Sequence, residues 1–136
     1  MVGGALKKAT QQWIRHSEAD FGTAQFLLRA RKYLYVGFMC QQAVEKLLKA
    51  VICQEMDVTP PRTHNLIALG DLIDARMNDH QRGIMTALTE YYLNNRYPEV
   101  KVALARRLTG PVARQVLQGT EAIIQWLREQ YRIPSR

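Results

Sequence analysis

The chain has 136 residues, 47% of them apolar and 23% charged, enough for one domain that buries a core without disulfides or metals. No apolar run approaches the roughly 20 residues of a membrane-spanning helix. The N-terminal MVGGALKKAT lacks the apolar core and cleavage site of a secretion signal, so a cytoplasmic location is expected. Nineteen Lys and Arg against twelve Asp and Glu leave a net charge of +7, a balance that suits nucleic acid, nucleotides or an acidic protein partner.

In chain order, residues 5–31 carry an apolar stripe at helical spacing (Leu6, Ala9, Trp13, Ile14, Phe21, Ala24, Leu27, Leu28), with Lys7, Lys8, Arg15, Glu18 and Arg29 on the wet side. Asp20 sits beside that stripe and, if buried, needs a partner. A second helix follows at once from Tyr33 to about Met56, so the two form an antiparallel hairpin. Val36, Met39, Cys40, Ala43, Leu47, Ala50 and Val51 make its apolar stripe, and Gln41, Glu45, Lys46 and Lys49 are placed on the flank and back. Cys40 and Cys53 lie within helical pattern and are expected to be buried and reduced.

Pro60-Pro61 breaks the chain, and Thr63 or His64 is expected to cap a short third helix through Leu66, Leu69, Leu72 and Ile73. A fourth begins near His80 and runs through Ile84, Leu88, Tyr91 and Tyr92 until Pro98 interrupts it; helical pattern resumes from Glu99 to Leu108. Gly110-Pro111 opens the last helix, with Val112, Val116, Ile123, Trp126 and Leu127 inward and Ile133-Pro134 as its end. With no strand candidate, the expected fold is an all-α, antiparallel up-and-down bundle of four to five helices, a single domain over residues 1–136 with its core at about 10–130.

The chemistry is sparse. There is no glycine-rich phosphate loop, no histidine pair at metal-ligand spacing and no serine or cysteine beside a local base; neither a metal nor a cofactor is expected, and a self-contained enzyme is not indicated. Thr63-His64-Asn65 reads as capping before it reads as a ligand site. Asn94-Asn95-Arg96-Tyr97-Pro98 offers two amides, a guanidinium and a phenol at a proline-broken helix, the ingredients for gripping a phosphate or a base. From Arg96 onward, eight basic residues face three acidic ones, which reads as solvated helix arginines before it reads as a polyanion-binding face.

Trp13 with Asp20 and Ala24, Tyr33 with Phe38, CQQAVEKLLKA at residues 40–50, Pro61 with Thr63-His64-Asn65-Leu66, Leu88-Thr89 with Tyr91-Tyr92, and Arg96-Tyr97-Pro98 together resemble a HEPN domain across residues 10–130. The resemblance implies a helical bundle that dimerises, with a polar cleft near the dimer seam. It further implies either partnership with a minimal nucleotidyltransferase in a toxin–antitoxin-like pair, or RNA cleavage by an arginine followed, after four to six residues, by a histidine. That spacing is missing: Arg76 and His80 have three residues between them, and Arg96 is followed by no histidine.

The expected function is therefore a nucleotide- or RNA-binding and partner module. Arg96 is the anion contact, Tyr97 the ring and Asn94 and Asn95 the polar readers, with Gln42, Glu45, Lys46, Lys49 and His64 completing or bracing the cleft; Gln42 and Glu45 read equally as members of a buried network that only fixes helix register. The rival reading is a ribonuclease toxin with a displaced histidine, such as His64 acting beside Arg96. A third is a helical scaffold without a ligand.

Overall fold

The computed structural model describes residues 5–134. Its longest elements are α1 (Lys8–Arg29) and α2 (Tyr33–Met56), separated by a link in which Arg31 takes a left-handed conformation, φ 61°. The pair is antiparallel and held in register by small polar residues of α1. Thr10 Oγ1 donates to Gln54 Oε1 at 2.9 Å, and Ser17 Oγ donates to the Ala43 carbonyl at 2.6 Å. Thr10 and Ser17 are buried with their hydroxyls satisfied, so each fits the apolar stripe at little cost.

α2 is the centre of the bundle. α1, α3, α4, α5 and α6 all pack on it, and Val36, Val44, Leu47, Leu48, Val51 and Ile52 are buried around its whole circumference. This corrects the expected single stripe: Gln41, Glu45 and Lys49, placed by sequence on the flank and back, are 0%, 4% and 6% exposed. A helix with neighbours on every side has no wet face, so its polar residues must pair with one another. Gly37 lets the ends of α4 and α5 close onto α2; a Cβ there would lie 3.0 Å from both Leu108 Cδ1 and Tyr91 Cγ.

The remaining helices are α3 (Leu66–Leu72), α4 (Asp79–Glu90), α5 (Pro98–Arg107) and α6 (Gly110–Gln130), which makes six among the described residues. The extra one arises because Pro98 does not interrupt a helix but starts one. Proline has no N–H to lose in a first turn, and its fixed φ suits that position. α4 accordingly ends at Glu90, and residues 91–97 form a connection. The cap of α3 is Asn65, not Thr63 or His64: its side chain accepts from the Ile67 and Ala68 amides. Asn78 and Gln81 close a reciprocal capping box on α4, and Thr109 caps α6. Leu66, Leu69, Met85, Leu88, Leu104, Ile123 and Leu127 complete the core against α2. Among the described residues, no helix is long and apolar enough to cross a membrane.

Candidate functional site

Gln41, Glu45 and Lys49 are spaced one helical turn apart, so they stack along one edge of α2. Glu45 is the hub. Its Oε1 accepts from Gln41 Nε2 at 3.0 Å and faces His64 Nδ1 at 2.8 Å, while its Oε2 accepts from Lys49 Nζ at 3.1 Å. Gln41 Nε2 also donates to the His64 carbonyl at 3.0 Å, and Gln41 Oε1 accepts from Gln42 Nε2 at 2.7 Å. The Lys49 ammonium lies 5.7 Å from the centre of the Trp13 ring, a favourable site for a cation withdrawn from water. Paired and hydrogen-bonded in this way, the buried charges avoid most of the penalty of isolation.

The network continues across the gap between α2 and α4. The His64 ring stacks on Tyr92 with centroids 3.7 Å apart and planes 14° from parallel, and Phe38 packs 6.0 Å from Tyr92 on a tilted ring. Because Glu45 can only accept from the imidazole, Nδ1 carries the proton and Nε2 is left as the outer nitrogen. The Tyr92 carbonyl in turn accepts from Arg96 Nε at 3.0 Å. Thus Lys49, Glu45, His64, Tyr92 and Arg96 form one chain of contacts from the bundle interior to its surface.

The expected site residues fall into three groups. Gln42, Glu45, Lys49 and His64 are joined in the network. Arg96, Tyr97, Asn94 and Asn95 occupy the connection before α5; all four are exposed, Tyr97 at 75%, and Asn95 takes φ 67°, which asparagine tolerates. The Arg96 side chain donates through Nε to the Tyr92 carbonyl and is otherwise exposed, with no further hydrogen bond among the described residues. Lys46 stands apart: it pairs with Asp20 on α1, which resolves that carboxylate as a satisfied acid. Lys46 also lines a cleft of about 410 Å³ with Gln12, Trp13 and His16.

Tyr92 and Trp13 are the residues that sequence reasoning left out of the site. No local signal marks Tyr92: just past the end of α4, Tyr91 is buried and Tyr92 turns to His64. Cys40 is no nucleophile, because burial pushes its thiol up to about 12.

An all-helical bundle built on a buried polar ladder, with an arginine-bearing loop at its surface, defines the class of domain. The family model of the HEPN domain matches residues 10–130, and the chain belongs to that family of nucleotide-binding and ribonuclease-type helical domains. A solved structure, the crystal structure of TT1696 from Thermus thermophilus, is similar in fold: 22% identity, 91% of this chain and 99% of that one covered, TM-score 0.77. No curated protein matches the chain.

Proposed function

We propose that the chain is a nucleotide- or RNA-binding module whose contact surface is the connection before α5. The observation that carries this reading is the Arg96 guanidinium, anchored through Nε to Tyr92 and with both terminal amines unbonded among the described residues, beside the exposed Tyr97 ring. A guanidinium held in this way meets a phosphate with two donors in fixed geometry, and a neighbouring ring accepts a base of any kind by stacking. Asn94 and Asn95 supply further donors and acceptors on the same loop. The buried ladder on α2 holds His64 against the Tyr92 ring, and the Tyr92 carbonyl accepts from Arg96 Nε.

The module works as a homodimer with a minimal nucleotidyltransferase as partner, in a toxin–antitoxin-like pair. Supporting a seam beside the loop are Val100 and Val102, apolar side chains that α5 leaves exposed next to Tyr97. Supporting an acidic or nucleic-acid partner is the surplus of basic residues from Arg96 onward.

Fluorescence anisotropy with a labelled single-stranded RNA tests the binding. The expected result is saturable binding that Arg96→Ala weakens about tenfold or more and that loses affinity as salt rises. Equal affinity for wild type and Arg96→Ala contradicts the assignment of the loop. Native mass spectrometry of the protein from its own host tests the assembly: a dimer, with a second chain of nucleotidyltransferase size, is expected, and a bare monomer contradicts it.

A further inference from the structure

We propose that the end of the bundle where the α1–α2 link meets the start of α6 is a second RNA-contact surface. A single strand held at the α4–α5 connection continues along Tyr35 to Arg29, Arg31 and Lys32. The proposal rests on the reading of the chain as an RNA-binding module and lengthens the bound strand beyond that connection.

Charge is very unevenly placed in this chain. Two stretches, residues 21–44 and 100–120, hold seven basic residues and no acidic one: Arg29, Arg31 and Lys32 in the first, Lys101, Arg106, Arg107 and Arg114 in the second. Of the nineteen bases, the other twelve are matched by the twelve acids, so the whole surplus of +7 lies in these two stretches. The fold brings their ends together. Tyr33 directly follows Lys32, and a Cβ at Gly110 would lie 3.0 Å from its hydroxyl oxygen, so the α1–α2 link sits against the start of α6. Leu108, the neighbour of Arg107, packs on Gly37, one turn further along α2. Arg107 pairs with Glu90 of α4 at 2.9 Å. Arg29, Arg31, Lys32, Arg106 and Arg114 are exposed, and their side chains make no hydrogen bond or ion pair among the described residues. Like charges gathered without internal partners repel one another, and an anion laid across them relieves that repulsion.

The rings beside these cations select the anion. Phe26, 60% exposed, stands one turn before Arg29 on α1, and Tyr35, 51% exposed, lies one turn after Lys32 at the start of α2. Tyr35 and Phe38 are three residues apart on α2 and so are neighbours on one face. Phe38 packs against Tyr92, with ring centroids 6.0 Å apart, and Tyr92 lies at the head of the connection that carries Arg96 and Tyr97. A line of rings thus runs from the α4–α5 connection to the basic end. An acidic protein segment needs only the cations, and a nucleic-acid duplex keeps its base faces stacked inside. A single strand uses both features: its phosphates pair with Arg and Lys, and its unstacked bases lie on the rings.

Fluorescence anisotropy of the full chain with a labelled single-stranded RNA of about 12 nucleotides, repeated across a range of salt, tests the surface. Arg29→Gln, Arg31→Gln and Lys32→Gln together are expected to weaken binding about tenfold or more at low salt. They are also expected to flatten the slope of log affinity against log salt by about 2, since each phosphate contact on a single strand contributes about 0.7. All three positions are exposed, so the thermal midpoint is expected to stay unchanged. Lys8→Gln, Arg15→Gln and Arg62→Gln together remove the same charge from exposed positions in other parts of the chain and are expected to leave the slope within about 0.5 of wild type. Tyr35→Ala is expected to weaken binding about fivefold or more. Equal slopes for wild type and the first triple variant overturn this inference; if Arg96→Ala still weakens binding, the contact at the α4–α5 connection stands. Equal losses from the two triple variants overturn it as well, since only net charge is then felt. A poly-glutamate peptide that binds wild type and not the first triple variant, with RNA binding unchanged, gives the surface to an acidic protein and overturns the assignment to RNA. Wild type that binds no RNA overturns both this inference and the reading beneath it.

Discussion

Replacing Glu45 by alanine removes the hub of the buried ladder and strands its partners. The Lys49 side chain is 8% exposed, and its ammonium would lose its carboxylate while remaining under Trp13. Gln41 would lose one of two acceptors, and His64 Nδ1 would lose its partner. Removing one member of a buried ion pair costs about 3–5 kcal/mol, a large share of the roughly 5–15 kcal/mol that holds a typical domain folded. With a urea m-value near about 2 kcal/mol/M, the denaturation midpoint should fall by roughly 2 M at unchanged m. The double variant Glu45→Leu with Lys49→Met replaces the pair with apolar groups of similar size and should recover most of the loss, because neither charge is then left unpaired. A Glu45→Ala midpoint equivalent to less than about 1 kcal/mol of destabilisation would refute the reasoning. It would mean that water reaches the ladder and already solvates both charges.

Three further outcomes follow from single contacts. Asn65→Ala removes the acceptor for the Ile67 and Ala68 amides and should cost about 1 kcal/mol by urea denaturation, whereas Thr63→Ala should cost less. Gly37→Ala should destabilise by about 1–3 kcal/mol despite alanine's better helix propensity, since its Cβ would press on Leu108 and Tyr91; a stabilised variant would show that this approach is loose. Cys40, fully buried with its thiol pushed up to about 12, should resist a thiol reagent at mildly alkaline pH in the native protein and react only on unfolding, as followed by mass spectrometry.

The helices were legible because their signals are local. Apolar spacing marked α1, α2 and α6, and Gly110-Pro111 marked where α6 begins. Pro98 misled because proline halts a helix from within yet suits the first turn of a new one, and local pattern does not separate the two. The deeper miss was α2. Gln41, Glu45 and Lys49 at one-turn spacing look the same facing water as facing one another, and only the helices packed around α2 decide which. The sequence named both His64 and Arg96 as candidates, but not the contacts that join them. Those run through Tyr92, whose ring meets a loop distant in the chain, a tertiary contact with no local trace.

The measurement closest to the central claim is an NMR titration of the protein with a short single-stranded RNA, made unreactive by 2′-deoxy substitution at every position. The account predicts saturable shifts concentrated in the backbone of residues 91–97 and in the His64 ring, with the first turns of α1 unmoved. Shifts confined to another surface, such as the cleft formed by Gln12, Trp13, His16 and Lys46, or none at stoichiometric nucleic acid, would contradict it.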